Sequence, residues 1–363
     1  MASEKKTILF INTIKGWGGG EHWHFDWAMR LSADYNVCII ANKGSKLSQK
    51  ARENNLKVKE INFSNFSIFN PIKWIYCCKI INELNPNTAI LNLSRELKLF
   101  APLLKIDKTK KIIYAKGSPT KVRNNFINKF ILKNFVTDIL CNSVATATNS
   151  FKQFPKDLFL NKIHIIYHCL DIDNYDKIKI KIKNKINNDK LIIKSLGRIS
   201  PEKNQIIFIE LAKELIIKNI KFEIQIGGDG PDFEKIKELI SINNLENNIK
   251  LFGFIEKTKE FLSDGDLFIL PSKWEGFGLV KLEAMALSLP IIAFDNSSNP
   301  ETIIDNKTGF IISNNNINEM ANKIEKLYNE PELIIEFGKN NRKFLEEKFN
   351  LNVIAPKIIN LLN

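Results

Sequence analysis

A chain of 363 residues, 44% of them hydrophobic, is too long for one typical domain and suits two of about 150–180 residues, each with a sizeable core. The charge is +13 overall and uneven: 32 Lys+Arg stand against 15 Asp+Glu through Lys190, and 21 against 25 from Leu191 onward. No apolar run approaches the ~20 residues that span a bilayer, residues 1–6 are polar with no leader arrangement, and five cysteines without a C-x-x-C pair argue against a disulfide framework and for reduced thiols in a cytoplasm. The basic first half suits an anionic membrane surface, a phosphorylated acceptor or nucleic acid. Solvated lysines in a Lys-, Ile- and Asn-rich composition explain it equally well.

Apolar runs of strand length alternate with longer amphipathic stretches, the pattern of α/β proteins with parallel sheets. The first half offers strands at 8–12, 37–41, 57–61, 89–93, 111–115, 138–141 and 163–167. After the first comes Gly16-Trp17-Gly18-Gly19-Gly20-Glu21, a loop whose bare amides suit a phosphate or a sugar. Trp17 is the tryptophan to watch on an acceptor, whereas Trp23 and Trp27 read as packing residues. Tyr114-Ala115-Lys116-Gly117-Ser118-Pro119 closes the fifth strand and leaves a lysine at its end. Residues 171–189, rich in Asp, Lys and Asn, form the linker region, and the alternating Lys and Ile at 177–185 fit a short strand or a helix. Asp171-Ile172-Asp173 has D-x-D spacing, but its place at the linker makes a metal site a coincidence, and no metal is expected.

The second half offers strands at 191–197, 221–227, 249–252, 267–270, 291–294 and 309–312. Gly197-Arg198-Ile199-Ser200-Pro201-Glu202-Lys203-Asn204 follows the first of these. Arg is a fixed fork of donors and Lys a mobile point charge, and both suit a diphosphate. Gly227-Gly228-Asp229-Gly230-Pro231 is turn chemistry that shapes a wall, and Gly253-Phe254-Ile255 follows the next strand. The most informative stretch is Trp274-Glu275-Gly276-Phe277-Gly278-Leu279-Val280-Lys281-Leu282-Glu283-Ala284-Met285-Ala286. It places Glu275 in a glycine-bearing loop and Glu283 eight positions later on a helix. The amides opening that helix form an anion site, and the two carboxylates accept from hydroxyls on either side. A nucleotide sugar, a diphosphate between two polyhydroxylated rings, has that pattern.

The stretch resembles the E-x7-E signature of the retaining GT-B glycosyltransferases, the large family 4-like group that includes many bacterial polysaccharide and lipopolysaccharide transferases. The likeness extends through Asp266-Leu267-Phe268-Ile269-Leu270-Pro271-Ser272 and Leu289-Pro290-Ile291-Ile292-Ala293. The Arg198 to Asn204 stretch is similar to the family's G-R-x-x-x-x-K-N motif, and the 18–21 stretch to its Gly-Gly-x-Glu loop. The resemblance implies an α/β fold of two Rossmann-like domains facing across a cleft. An acceptor-side domain would occupy 1–172, a linker 173–190 and a donor domain 191–340, with a helix at 341–363 packing back on the first domain.

It also implies a metal-independent, retaining transfer from a nucleotide-diphosphate sugar, a co-substrate, with no cofactor. Arg198, Lys203 and the amides of 276–280 (Gly276, Phe277, Gly278, Leu279, Val280) would hold the diphosphate. Glu283 would hold the ribose, Glu275 the transferred sugar, and the backbone at Phe254 the base. Gly18, Gly19 and Gly20 would face the donor. Lys116 stands where the family commonly has a histidine, and His168-Cys169-Leu170-Asp171 replaces a frequent Asn-Gly-x-Asp. The lysine is assigned to the donor or to an anionic acceptor. The expected acceptor is a saccharide, a lipid-linked saccharide or a lipopolysaccharide core, met in the cytoplasm or at the inner face of its membrane. Sugar phosphorylases and nucleotide-sugar epimerases on the same fold are the alternative, and nucleic-acid binding, for which no motif is found, the remote one.

Overall fold

The computed structural model describes residues 5–155, 158, 160–176 and 190–363, so the Lys/Ile alternation at 177–185 lies outside the described residues. The chain divides into two compact units, Met1–Tyr167 with Lys357–Asn363, and His168–Pro356. In the first, strands β1 (Thr7–Asn12), β2 (Asn36–Asn42), β3 (Lys57–Ile61), β4 (Thr88–Leu91), β5 (Lys111–Lys116), β6 (Asp138–Cys141) and β7 (Ile163–Ile165) alternate with helices. The helices are α1 (Gly19–Leu31), α2 (Lys46–Glu53), α3 (Pro71–Leu84), α4 (Ser94–Ile106), α5 (Phe126–Asn134) and α6 (Val144–Phe151). Among the described residues the strands form one seven-stranded sheet in the order β3-β2-β1-β4-β5-β6-β7. All pairs are parallel, Ile8 of β1 lying beside Val37 of β2 and Thr88 of β4. Central strands of such a sheet are covered on both faces and so read as unbroken apolar runs; Ile8, Leu9, Phe10 and Ile11 are all buried.

The second unit repeats the plan. After a short helix α7 (Asp173–Asp176), it contains β8 (Leu191–Leu196), α8 (Phe208–Ile217), β9 (Phe222–Gly227), α9 (Phe233–Ile242), β10 (Ile249–Leu251) and α10 (Thr258–Leu262). Then follow β11 (Leu267–Leu270), α11 (Leu279–Ala286), β12 (Ile291–Phe294), α12 (Asn299–Thr302), β13 (Gly309–Ile312), α13 (Ile317–Asn329) and α14 (Pro331–Lys348). Its sheet runs β10-β9-β8-β11-β12-β13 among the described residues, and its core gathers around Ile193, Ile224, Ile269, Ile292 and Phe310.

Two local differences from the sequence pattern have physical causes. The 341–362 pattern reads as one helix, but the structure breaks it between α14 and α15 (Leu351–Leu362). The buried Phe349 ring packs on Phe277 and Phe344, and the chain extends there to exchange backbone bonds with Leu170 (Leu170 N donates to Phe349 O at 3.0 Å and Leu351 N to Leu170 O at 3.0 Å). The end of α15 belongs to the first unit, where the Thr88 hydroxyl donates to Leu362 O at 3.1 Å.

The second difference concerns β4, which stops at Leu91 rather than 93. The amides of Asn92 and Leu93 turn to the Glu96 carboxylate (2.9 and 2.8 Å), which also accepts from the Thr13 amide and hydroxyl (2.6 and 2.8 Å). Glu96 is fully buried and ties the loop after β1 to the loop after β4. Burial pushes its pKa up to about 7, against the pull of those four donors.

A folded-state pKa above the unfolded one means that folding takes up a proton between the two values. The Glu96 contribution is therefore fully present below about pH 4.5 and is lost as pH rises through about 7. Glu96→Gln is expected to destabilise the protein by roughly 2–4 kcal/mol, because the amide nitrogen cannot accept and leaves buried donors unpaired. In urea titrations the deficit should be larger at pH 5 than at pH 8; an equal deficit at both would contradict the elevated pKa.

Candidate active site

Parallel sheets bind ligands outside the carboxyl ends of the strands, where neighbouring connections leave in opposite directions. In the second unit that point lies between β8 and β11. The loops leaving these strands carry Arg198, Lys203 and Glu275, and the Lys273 amide donates to Glu202 O at 2.9 Å to join the two loops. Lys203 and half-buried Glu275 form an ion pair. Arg198 is exposed, its guanidinium without a hydrogen-bond partner among the described residues. Gly278, at φ 80°, caps α11 in the left-handed region that glycine tolerates. A Cβ there would stand 3.0 Å from both Glu275 Cγ and Lys281 Cε. The amides of Leu279 and Val280 at the start of α11 have no intrahelical partner, which makes this end electropositive.

The side chain of Phe277, 1% exposed, packs on His168 and Phe349, so only the backbone of this residue can reach a ligand. Gly276 is buried as well. Glu283, one turn on from Leu279, is half-buried. Its Oε1 accepts from the Thr258 hydroxyl at 2.9 Å and the Tyr175 hydroxyl at 3.3 Å, leaving Oε2 without a hydrogen bond among the described residues. Burial raises its pKa. Phe254 follows β10 at the sheet edge with its side chain 79% exposed.

Three residues of this site escaped the sequence reading. Tyr175 is buried in α7, within the stretch read as linker, and nothing in an Asp-rich segment signals it. Thr258 carries no spacing signal either. Lys281 left a readable trace, a lysine on a helix whose other residues are nearly all apolar. It is fully buried, donating to Asn299 Oδ1 at 2.9 Å and Thr302 Oγ1 at 2.7 Å, and burial pushes its pKa down to about 7.

The switch point of the first unit lies between β1 and β4. A cavity of about 790 Å³ opens there, lined from Thr13 and Lys15 after β1, Asn92 to Arg95 after β4, Lys116 at the end of β5, and Lys121. Lys116 therefore faces a cavity of the first unit, donating to Thr120 Oγ1 at 2.8 Å, and burial pushes its pKa down to about 8. Gly18, Gly19 and Gly20 lie in the loop between β1 and α1 and at the helix start.

The fold is that of the GT-B glycosyltransferases. Superposed on HepE of Anabaena, a crystal structure in complex with UDP, the chain gives a TM-score of 0.83 at 18% identity, covering 98% of this chain and 99% of that one. Residues 176–344 match the family model Glycosyl transferases group 1. The poly(ribitol-phosphate) alpha-N-acetylglucosaminyltransferase of Staphylococcus aureus is 36% identical over 203 residues, 54% of this chain and 41% of that one. An uncharacterized glycosyltransferase of Haemophilus influenzae is 26% identical over 355 residues, 94% of this chain and 96% of that one. The chain thus spans less than half the length of the first relative and nearly all of the second.

The glycines separate by cause. A Cβ at Gly228 (φ 137°) would lie 1.9 Å from Gly197 O, and one at Gly230 2.1 Å from Ile199 O, so both let the 227–231 turn press against the loop that carries Arg198. At Gly19 a Cβ would meet nothing within 4 Å, and neither Gly18, Gly19 nor Gly20 has positive φ. Gly228→Ala is therefore expected to cost about 3 kcal/mol or more. Gly19→Ala should leave stability unchanged or raise it by about 0.5–1 kcal/mol. Chemical denaturation of the two variants checks the contrast.

Proposed function

We propose that this protein is a retaining, metal-independent glycosyltransferase. It moves one sugar from a nucleotide-diphosphate sugar to a hydroxyl of a saccharide or lipid-linked acceptor, in the making of lipopolysaccharide or another surface polysaccharide. The observation that carries the reading is the grouping of Arg198, Lys203, Glu275 and the open amides of α11 at the switch point of the second unit. UDP-linked sugars are the first donors to try, HepE having been solved with UDP.

The chemistry follows from the donors and acceptors. An ammonium has three donors; one of those of Lys203 goes to Glu275, and the others are available to diphosphate oxygens. Arg198 adds its fork and α11 its amides. As the bond from the anomeric carbon to the phosphate oxygen breaks, negative charge grows on the diphosphate, and these groups stabilise it there. They supply the positive charge that a divalent ion brings in other diphosphate sites, which is the basis of the metal-independent reading. The acceptor oxygen bonds to the anomeric carbon on the face the diphosphate leaves, its proton passes to the departing phosphate oxygen, and configuration is retained.

Glu275 accepts from a hydroxyl of the transferred sugar. Oε2 of Glu283 accepts from the ribose, with Oε1 held by Thr258 and Tyr175. At Gly19, where a Cβ would meet open space, the absence of a side chain is explained by a ligand that approaches the backbone. The enzyme would work in the cytoplasm, peripheral to the inner face of the membrane, where lipid-linked acceptors are presented.

Glu283→Ala is expected to weaken UDP binding 10- to 100-fold, the worth of hydrogen bonds to a charged group. Glu275→Ala should lower kcat with little effect on UDP affinity. Calorimetric titration with UDP reads the first. Equal affinity in wild type and Glu283→Ala would remove the ribose assignment. Transfer assays with a UDP-sugar read the second, and the anomeric coupling constant of the product tests retention; an inverted product would overturn the mechanism.

A further inference from the structure

The cavity of the first unit has a charge pattern that a neutral sugar does not need. Four cations line it, Lys15, Arg95, Lys116 and Lys121, and no acidic residue does. Among the described residues none of the four is in an ion pair. Arg95 donates to Thr13 O at 3.0 Å, Thr13 Oγ1 at 3.3 Å and Asn65 Oδ1 at 3.4 Å and lies over the Phe63 ring 5.8 Å from its centroid, so no anionic group among the described residues meets its charge. Lys116 is 8% exposed, and among the described residues its ammonium donates only to the neutral Thr120 hydroxyl. Burying an ammonium is costly without a counter-charge, and the carboxylate next to Arg95 in sequence, Glu96, is committed to Thr13, Asn92 and Leu93. The amides of Ser94 and Arg95, which open the thirteen-residue helix α4, border the same space without intrahelical partners.

We propose that this cavity is a binding site for a phosphate group carried by the acceptor. Phosphate matches the set by charge and by its several acceptor oxygens, which an arginine fork, two or three ammonium groups and a helix start can share. The chain on either side of the cavity adds a second feature. Phe66 and Phe69, just beyond the lining residue Asn65, are 80% and 78% exposed, and Phe126, a few residues beyond Lys121, is 80% exposed. Exposed aromatic side chains beside a cationic pocket suit a phosphate on a lipid, while a soluble polyol phosphate needs the pocket alone. The shared chemistry is the phosphate, and the experiment separates the two carriers. The inference rests on the transferase reading only in calling the bearer an acceptor.

The test is equilibrium binding of glycerol phosphate and of glycerol to the full chain, in wild type, Lys116→Met and Lys121→Ala, at fixed ionic strength. Lys121 is exposed, so its variant reads the site even if the buried Lys116 variant folds poorly. Wild type is expected to bind glycerol phosphate at least tenfold more tightly than glycerol, and each variant to lose fivefold or more. Equal affinity for the two probes, or phosphate affinity untouched in both variants, would overturn the proposal, the second result marking diffuse attraction to the basic half. Phosphatidylcholine vesicles with and without phosphatidic acid form the other arm. Vesicle binding displaced by glycerol phosphate assigns a lipid head group to the cavity, and glycerol phosphate binding with no such displacement assigns a soluble phosphate. UDP titration in parallel keeps the readings apart, since loss of UDP binding counts against the transferase function and leaves the phosphate result standing.

Discussion

Parallel strands cannot be joined by tight turns, and each return must cross a face of the sheet. Both candidate sites of this protein depend on that constraint. In both units the chain begins in mid-sheet, winds outward to one edge, then returns and winds to the other, so the first strand meets a partner far along the sequence: β1 meets β4, and β8 meets β11. Beyond each such pair the loops diverge, and backbone amides, helix starts and polar side chains collect there instead of apolar core. One such point holds Glu275 with Lys203; the other holds Lys116 and Arg95.

The loops at these points need internal ties, since they lack ladder partners. In the first unit one buried carboxylate does this: Glu96 gathers the amides of Asn92 and Leu93 with that of Thr13, 83 residues before it. In the second, the backbone bond between Lys273 and Glu202 and the close approach of Gly228 to Gly197 serve the same end. Lys281, held by Asn299 and Thr302, sets its ammonium 5.7 Å from the centroid of the Phe277 ring in the Glu275 loop. Buried charges are rarely the cheapest way to stabilise a core. Fully buried Lys281 and half-buried Glu283 of α11, both with pKa values moved toward the neutral form by burial, are better explained by what they position than by what they stabilise.

The strands were legible because a sheet buried on both faces writes itself as apolar runs. All thirteen expected runs became strands, with shifts of one or two residues at their ends, such as β4. The placing of the candidate motifs was legible for a related reason: glycine, Arg, Lys and Glu soon after an apolar run are local in sequence, and local backbone chemistry decides where a loop and a helix start lie. Arg198, Lys203 and Glu275 lie in such loops, and Glu283 on the helix that follows one. The break between α14 and α15 does not, because Leu170, which pairs there, lies 180 residues away from Asn350.

The amino-acid sequence by itself determined the alternation of strands and helices, the placing of the glycine turns and the residues that follow each strand, since these depend on side-chain period and on φ preference within a few residues. Tertiary structure decided which loops share a switch point. It also brought Tyr175 and Thr258 to one oxygen of Glu283, buried the Phe277 ring, and set Lys116 on a cavity that Lys15, Arg95 and Lys121 also line. Those outcomes depend on which strands pair, and strand pairing is set by the burial of the whole sheet, a quantity that no local window of the chain contains.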